Sequence, residues 1–109
     1  MPLRPLPNLL RATRRRLALF QDDVAFLLGK QDGRKVSEYE LLAHLPNLET
    51  ALAYEAIFKM PVSELFPGLY MEVERKISAR AKSLTAQTAW ASDANSIVRR
   101  KTLESLANR

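Results

Sequence analysis

Cysteine is absent from the 109 residues, histidine occurs once and glycine only three times. Without cysteine there is no thiolate nucleophile, no redox pair and no cysteine-bound zinc. A disulfide framework is excluded, and the lack of thiols is compatible with a compartment that keeps them reduced. The lone His44 cannot build a histidine-rich metal site, so neither metal nor cofactor is expected. There is no Gly-rich phosphate loop and no Ser/His/Asp set. Asp22 and Asp23 are adjacent, so on a helix they project about 100° apart and cannot share a proton or a metal. An enzyme is therefore not expected. Arg4 and Arg11 stand near the N-terminus, but no uninterrupted apolar stretch follows as it would in a secretory signal. No run approaches the ~18–20 apolar residues of a membrane span. The expectation is a cytoplasmic protein with no membrane partner.

What is abundant is Leu, Ala, Glu, Arg and Lys, the composition of a helical chain rather than a sandwich or barrel. Hydrophobic residues make up 47%, enough for one compact domain, or a smaller domain with a tail. The formal charge of +5 hides a strong pattern. Residues 1–35 carry a balance of +5, residues 36–74 of −6 and residues 75–109 of +6. Basic ends around an acidic middle give one surface suited to polyanions and another that repels them. Ordinary solvated helix faces would give the same counts.

The three prolines of residues 1–7 predict an extended arm. Asn8 is positioned as the N-cap of a first helix, with Leu10, Thr13 or Arg14, and Leu17 on one face. Asp22 and Asp23 suit the first turn of a second helix, which ends at Gly29. Lys30-Gln31-Asp32-Gly33 has the composition of a turn. A third helix runs from about Arg34 to Leu42, with Val36 and Tyr39 inward; the capping box at Ser37-Glu38-Tyr39-Glu40 offers a start at Ser37 instead. Asn47 caps a fourth helix whose apolar stripe is expected at Leu48, Ala51, Leu52 and Phe58. Met60-Pro61 stops it, residues 61–66 form a short fifth helix, and Pro67 suits the first position of a long one. A capping signal at Ser92-Asp93 predicts a last helix to about Ala107, with Ile97 or Val98, Leu103 and Leu106 inward. Tyr70 and Trp90 are expected to pack rather than to stack on bases.

The most specific arrangement is the helix pair around the glycine-containing turn: Gln21, Val24-Ala25, Leu28-Gly29, Val36 and Tyr39-Glu40, followed by Pro46, Leu48 and Glu64-Leu65-Phe66. Residues 8–66 resemble the helix-turn-helix domain of the Cro and phage-repressor-type family of bacterial transcription regulators. That resemblance implies an all-α domain of five helices over residues 8–68, after an arm at 1–7 and before a long amphipathic helical extension at 69–109. It implies that Gln21 hydrogen-bonds a phosphate and that Ala25 is small because two helices cross there. Gly29 then takes the left-handed turn, and Val24, Leu28 and Val36 fill the wedge. Arg14 and Glu40 fall where the family pairs an Arg of helix 1 with the Glu ending the recognition helix. Phe20 stands where the family usually has a Ser or Thr cap, and the turn between Gly29 and Val36 is one residue longer.

The function this implies is sequence-specific binding of double-stranded DNA by a regulator of transcription, a repressor, whose helix around residues 34–42 reads the major groove. Arg34 and Lys35 are the first candidates for base or phosphate contact, followed by Ser37 and Glu38, with Gln21, Lys30, Gln31, Arg14 and Arg15 completing the set. Glu38 suits a cytosine amino group. Helices 1–5 consume most of their apolar residues in their own core. The stripe Leu69, Val73, Ile77, Ala81 and Leu84 is left without a partner, which predicts a homodimer through residues 69–107 with Val73, Ile77 and Leu84 in the seam. The alternative is an antitoxin-like or accessory module whose C-terminal helices bind a protein partner.

Overall fold

The computed structural model describes residues 8–87 and 93–108, and the expected arm at 1–7, Trp90 and Ser92 lie outside them. The described residues are all-helical: α1 (Leu10–Arg16), α2 (Gln21–Leu27), α3 (Arg34–Glu40), α4 (Leu48–Phe58), α5 (Val62–Leu65), α6 (Pro67–Gln87) and α7 (Ala94–Ala107). No helix among them is long and apolar enough to cross a membrane. The chain divides into two compact units, residues 1–70 and 71–109.

In the first unit, short helices are closed by local chemistry and held by a shared core. The N-cap of α1 is Leu9 rather than the expected Asn8, which stands one residue further out and accepts from the Leu10 amide on Oδ1 at 3.0 Å. α1 ends where Ala18 takes a positive φ of 60°, which turns the chain so that Leu19 packs on the core and Leu17 is left exposed. Leu17, expected inward, is thus excluded because the helix stops one residue before it. α2 starts at a Phe20 whose ring can accept nothing; the Asp23 carboxylate takes the Phe20 amide at 2.7 Å, so one half of a capping box stands alone. α2 closes on Gly29 at φ +78°, with Gly29 N–H donating to Phe26 and Lys30 N–H to Ala25, the paired bonds of a Schellman motif.

α3 begins at Arg34, and the Ser37 amide already donates to the Gly33 carbonyl at 2.9 Å, so the start at Ser37 is corrected. Asn47 caps α4 by accepting from the Thr50 amide at 2.9 Å. The face expected on α4 is also corrected. Thr50, Ala51, Tyr54 and Phe58 are buried, whereas Leu48 and Leu52 are exposed. α4 carries apolar residues around most of its circumference, so its own pattern selects no face; the neighbours do. The core gathers Leu10, Val24, Ala25, Val36, Tyr39, Tyr54, Phe58, Leu65 and Phe66 from α1 to α5 and the residue after it. The Leu9 amide donates to the Leu65 carbonyl at 2.8 Å, joining the chain entry to α5.

The second unit is two helices with little between them. Ser78 Oγ donates to the Ala107 carbonyl at 2.9 Å, and only Ala81 and Ala107 are buried among its described residues. Asp93 caps α7 by accepting from the Ser96 amide at 3.4 Å. Leu103 and Leu106 are half-buried, but Ile97 and Val98, one of which was expected inward, are both exposed.

Candidate nucleic-acid interface

The site is built on how α3 is held. Glu40, its last residue, receives Arg14 Nε at 2.6 Å on Oε2 and Arg14 Nη2 at 3.2 Å on Oε1. Arg14 Nη1 donates to the Leu19 carbonyl at 3.0 Å, so the guanidinium is spent on three acceptor oxygens of two residues. The side chains of Arg14 and Glu40 are 10% and 3% exposed. The hydrogen bond to Glu40 raises the Arg14 pKa further above its ordinary value, against the opposing effect of burial. Such a bidentate pair fixes angle as well as distance. Gln21 Nε2 donates to the same Glu40 Oε1 at 3.2 Å, and Asn8 Nδ2 donates to the Tyr39 and Glu40 carbonyls, each at 3.3 Å. α1, α2 and Asn8, two residues before α1, therefore converge on the C-terminus of α3.

Its N-terminus is held as firmly. Asp22 Oδ1 accepts from the Gly33 amide and Asp32 Oδ1 from the Arg34 amide, both at 2.9 Å. With both ends fixed, the outward side of α3 is determined. Arg34 and Glu38, four residues apart, lie on one side of the helix, and Lys35 beside them; Val36 and Tyr39 occupy the opposite side and are buried. Arg34 and Lys35 are exposed, and Ser37 and Glu38 half-buried. Lys35 Nζ lies 3.4 Å and His44 Nε2 3.6 Å from Glu38 Oε2, so this half-buried carboxylate, with its Oε2 covered, sits between two basic groups. Gln31 is exposed and Lys30 half-buried in the turn that leads into α3.

A second cluster adjoins this one. Arg11, Arg14, Arg15, Phe20, Gln21 and Asp22 line a shallow surface depression, with Arg11 and Arg15 exposed on one side of α1. Asp22 belongs to both clusters, since it lines the depression and holds the turn one residue before Arg34. Of the anticipated contact residues, Arg15, Arg34 and Gln31 are exposed, Lys35 is exposed but paired with Glu38, Arg14 is committed to Glu40 and half-buried Gln21 shares that carboxylate. Val24, Ala25 and Val36 are buried and Leu28 packs on them, with Gly29 in the left-handed turn.

Two positioning residues were not anticipated in these roles. Asn8 reads in sequence as a helix cap, and Asp22 as an acid in a first helical turn; both also bridge to residues far along the chain, for which local sequence holds no signal. Compared with protein-family models, with curated proteins and with solved structures, the chain has no significant match.

Proposed function

We propose that the chain is a sequence-specific DNA-binding regulator of transcription, a repressor of the phage-repressor type, which inserts α3 into the major groove. The observation that supports this reading is the clamping of α3 at both ends, Glu40 by Arg14 and Gly33 by Asp22, which leaves Arg34, Lys35 and Glu38 facing outward on a rigid scaffold. Base reading needs such rigidity, because a bidentate contact tolerates little angular error.

On this reading Arg34 donates to a guanine edge or a phosphate, and Lys35 acts beside it. Glu38 accepts from a cytosine amino group and discriminates against bases that offer it only acceptors. Arg11 and Arg15 contact phosphates flanking the groove, which makes affinity fall steeply with salt. Arg14 touches no DNA; it sets the angle of α3.

Selection of bound duplexes from a random library by the full chain is the test. A single enriched motif is expected, and Arg34→Ala and Lys35→Ala should each weaken binding to it by roughly 1–3 kcal/mol while leaving the melting temperature unchanged. No enrichment, or unchanged affinity in both variants, overturns the reading. The exposure of Ile97, Val98 and Met71 favours a second reading, an accessory module whose C-terminal helices bind another protein. That reading predicts a full chain with no salt-dependent affinity for any duplex.

A further inference from the structure

Phe20 breaks a local rule without a return inside the fold. It holds the N-cap position of α2, where Ser, Thr, Asp or Asn would satisfy a free amide and a phenyl ring cannot. Asp23 Oδ2 already accepts from the Phe20 amide, so the capping box lacks only the hydroxyl that residue 20 would bring. The ring is 76% exposed and takes no part in the core, although Leu19 beside it packs there. A cap given up for an apolar group that the core does not use points to a role outside the chain. Phe26 is as exposed, but it lies inside α2, where no cap is lost.

The surroundings of the ring narrow the partner. Phe20 lines the surface depression with Arg11 and Arg15, which stand four residues apart on one side of α1. Neither arginine pairs with a carboxylate among the described residues. Arg14 is balanced by Glu40, and Asp22 offsets one of the two remaining charges, so the depression keeps a single positive charge. That balance suits one anionic group beside an apolar one, rather than a run of carboxylates. A nucleic-acid backbone has this composition, one phosphate to each sugar. Asp22 Oδ1 also holds the Gly33 amide, so the depression adjoins the start of α3. We propose that the depression seats one phosphate of duplex DNA and the deoxyribose next to it, the phosphate on Arg11 and Arg15 and the sugar on the Phe20 ring. This rests on the DNA reading and deepens it: Phe20 is a backbone contact that helps to place α3 in the groove and reads no base.

The test uses the full chain with the duplex selected from the random library and an unselected duplex of equal length. Phe20→Ser supplies the missing cap, so it should melt higher than wild type and yet bind both duplexes several-fold more weakly, since a sugar contact carries no sequence information. Phe20→Leu keeps an apolar surface and should bind nearly as well as wild type; a loss equal to that of Phe20→Ser would mean stacking on a base and overturns the sugar contact. Arg15→Gln should lower the slope of log affinity against log salt by roughly one, whereas Phe20→Ser should leave the slope unchanged. A Phe20→Ser protein that melts lower than wild type would show that the fold uses the ring, and either that result or undiminished binding of the selected duplex sinks this inference alone. A wild type that binds no duplex sinks the DNA reading with it.

Discussion

The Gly33 amide donates to Asp22 Oδ1 at 2.9 Å, and this one bond ties the turn before α3 to the first turn of α2. The approach is so close that a methyl group at residue 33 would lie 2.9 Å from both Asp22 Oδ1 and Gln21 Cβ. The Gln21 contact cannot yield without moving α2. Gly33→Ala should therefore cost about 1–3 kcal/mol in urea unfolding and misplace Arg34. Gly29→Ala should cost about 1 kcal/mol for a different reason, since that position has open space but a φ of +78°. A Gly33→Ala protein as stable as wild type would show that the turn has room to shift.

Arg14 and Glu40 lie 26 residues apart in the chain and are almost enclosed. Arg14→Leu alone leaves a carboxylate without its main partner and should destabilise the domain by about 3 kcal/mol. Arg14→Leu combined with Glu40→Leu should recover much of that loss, because no orphaned charge remains. Arg14→Lys should not recover it, since an ammonium cannot make the two-pronged contact. A double-mutant cycle on thermal unfolding reads the coupling, and additive single effects would refute it.

Tyr54 is fully buried, and its hydroxyl has no hydrogen-bond partner among the described residues. Burial raises its pKa well above the ordinary tyrosine value of about 10, with Glu40 and Tyr39 adding to the effect and Arg14 opposing it. The unfolded chain therefore loses this proton at a lower pH than the folded one. Stability tied to Tyr54 is whole below pH about 10 and declines as the pH rises above that value. Tyr54→Phe should be neutral or stabilising at pH 7, because it removes an unpaired buried hydroxyl, and should flatten the alkaline decline. Chemical unfolding across that range measures both; a strongly destabilised Tyr54→Phe would mean that the hydroxyl is satisfied.

Ala18 is exposed and sits at φ 60°, a region that costs a non-glycine residue about 1–2 kcal/mol. Ala18→Gly should raise stability by roughly 0.5 kcal/mol, the strain relieved minus the added freedom of the unfolded chain. Ala12→Gly, also exposed but inside α1, should lower it by about 0.5–1 kcal/mol. Opposite signs for the same substitution six residues apart are the expected result, and equal signs would deny the left-handed turn.

Much of the helical framework was legible because each boundary has a local cause. Asn47 offers an oxygen to an amide three residues on, Gly29 is the residue best able to turn left-handed after α2, and Asp93 caps α7 in the same manner as Asn47. These effects act over a few residues and leave their mark in the sequence. The three non-glycine left-handed positions at Ala18, Leu42 and Lys59 were not legible, because none of these residues favours that conformation and the surrounding packing imposes it.

Position along the chain also determined which residues stand at the start of α3, and composition determined that the described chain is helical. What only the tertiary structure decided is which side of each helix is inside and which charges are free. α4 has apolar residues on most sides, so Tyr54 rather than Leu52 entered the core once α1, α3 and α5 surrounded it. Arg14, Arg15 and Arg16 are chemically identical neighbours, yet only Arg14 meets a carboxylate from α3 and leaves the surface. Local propensity acts through bonds between near neighbours, whereas burial and ion pairing depend on which distant segments arrive beside a residue, and that is fixed only when the helices pack together.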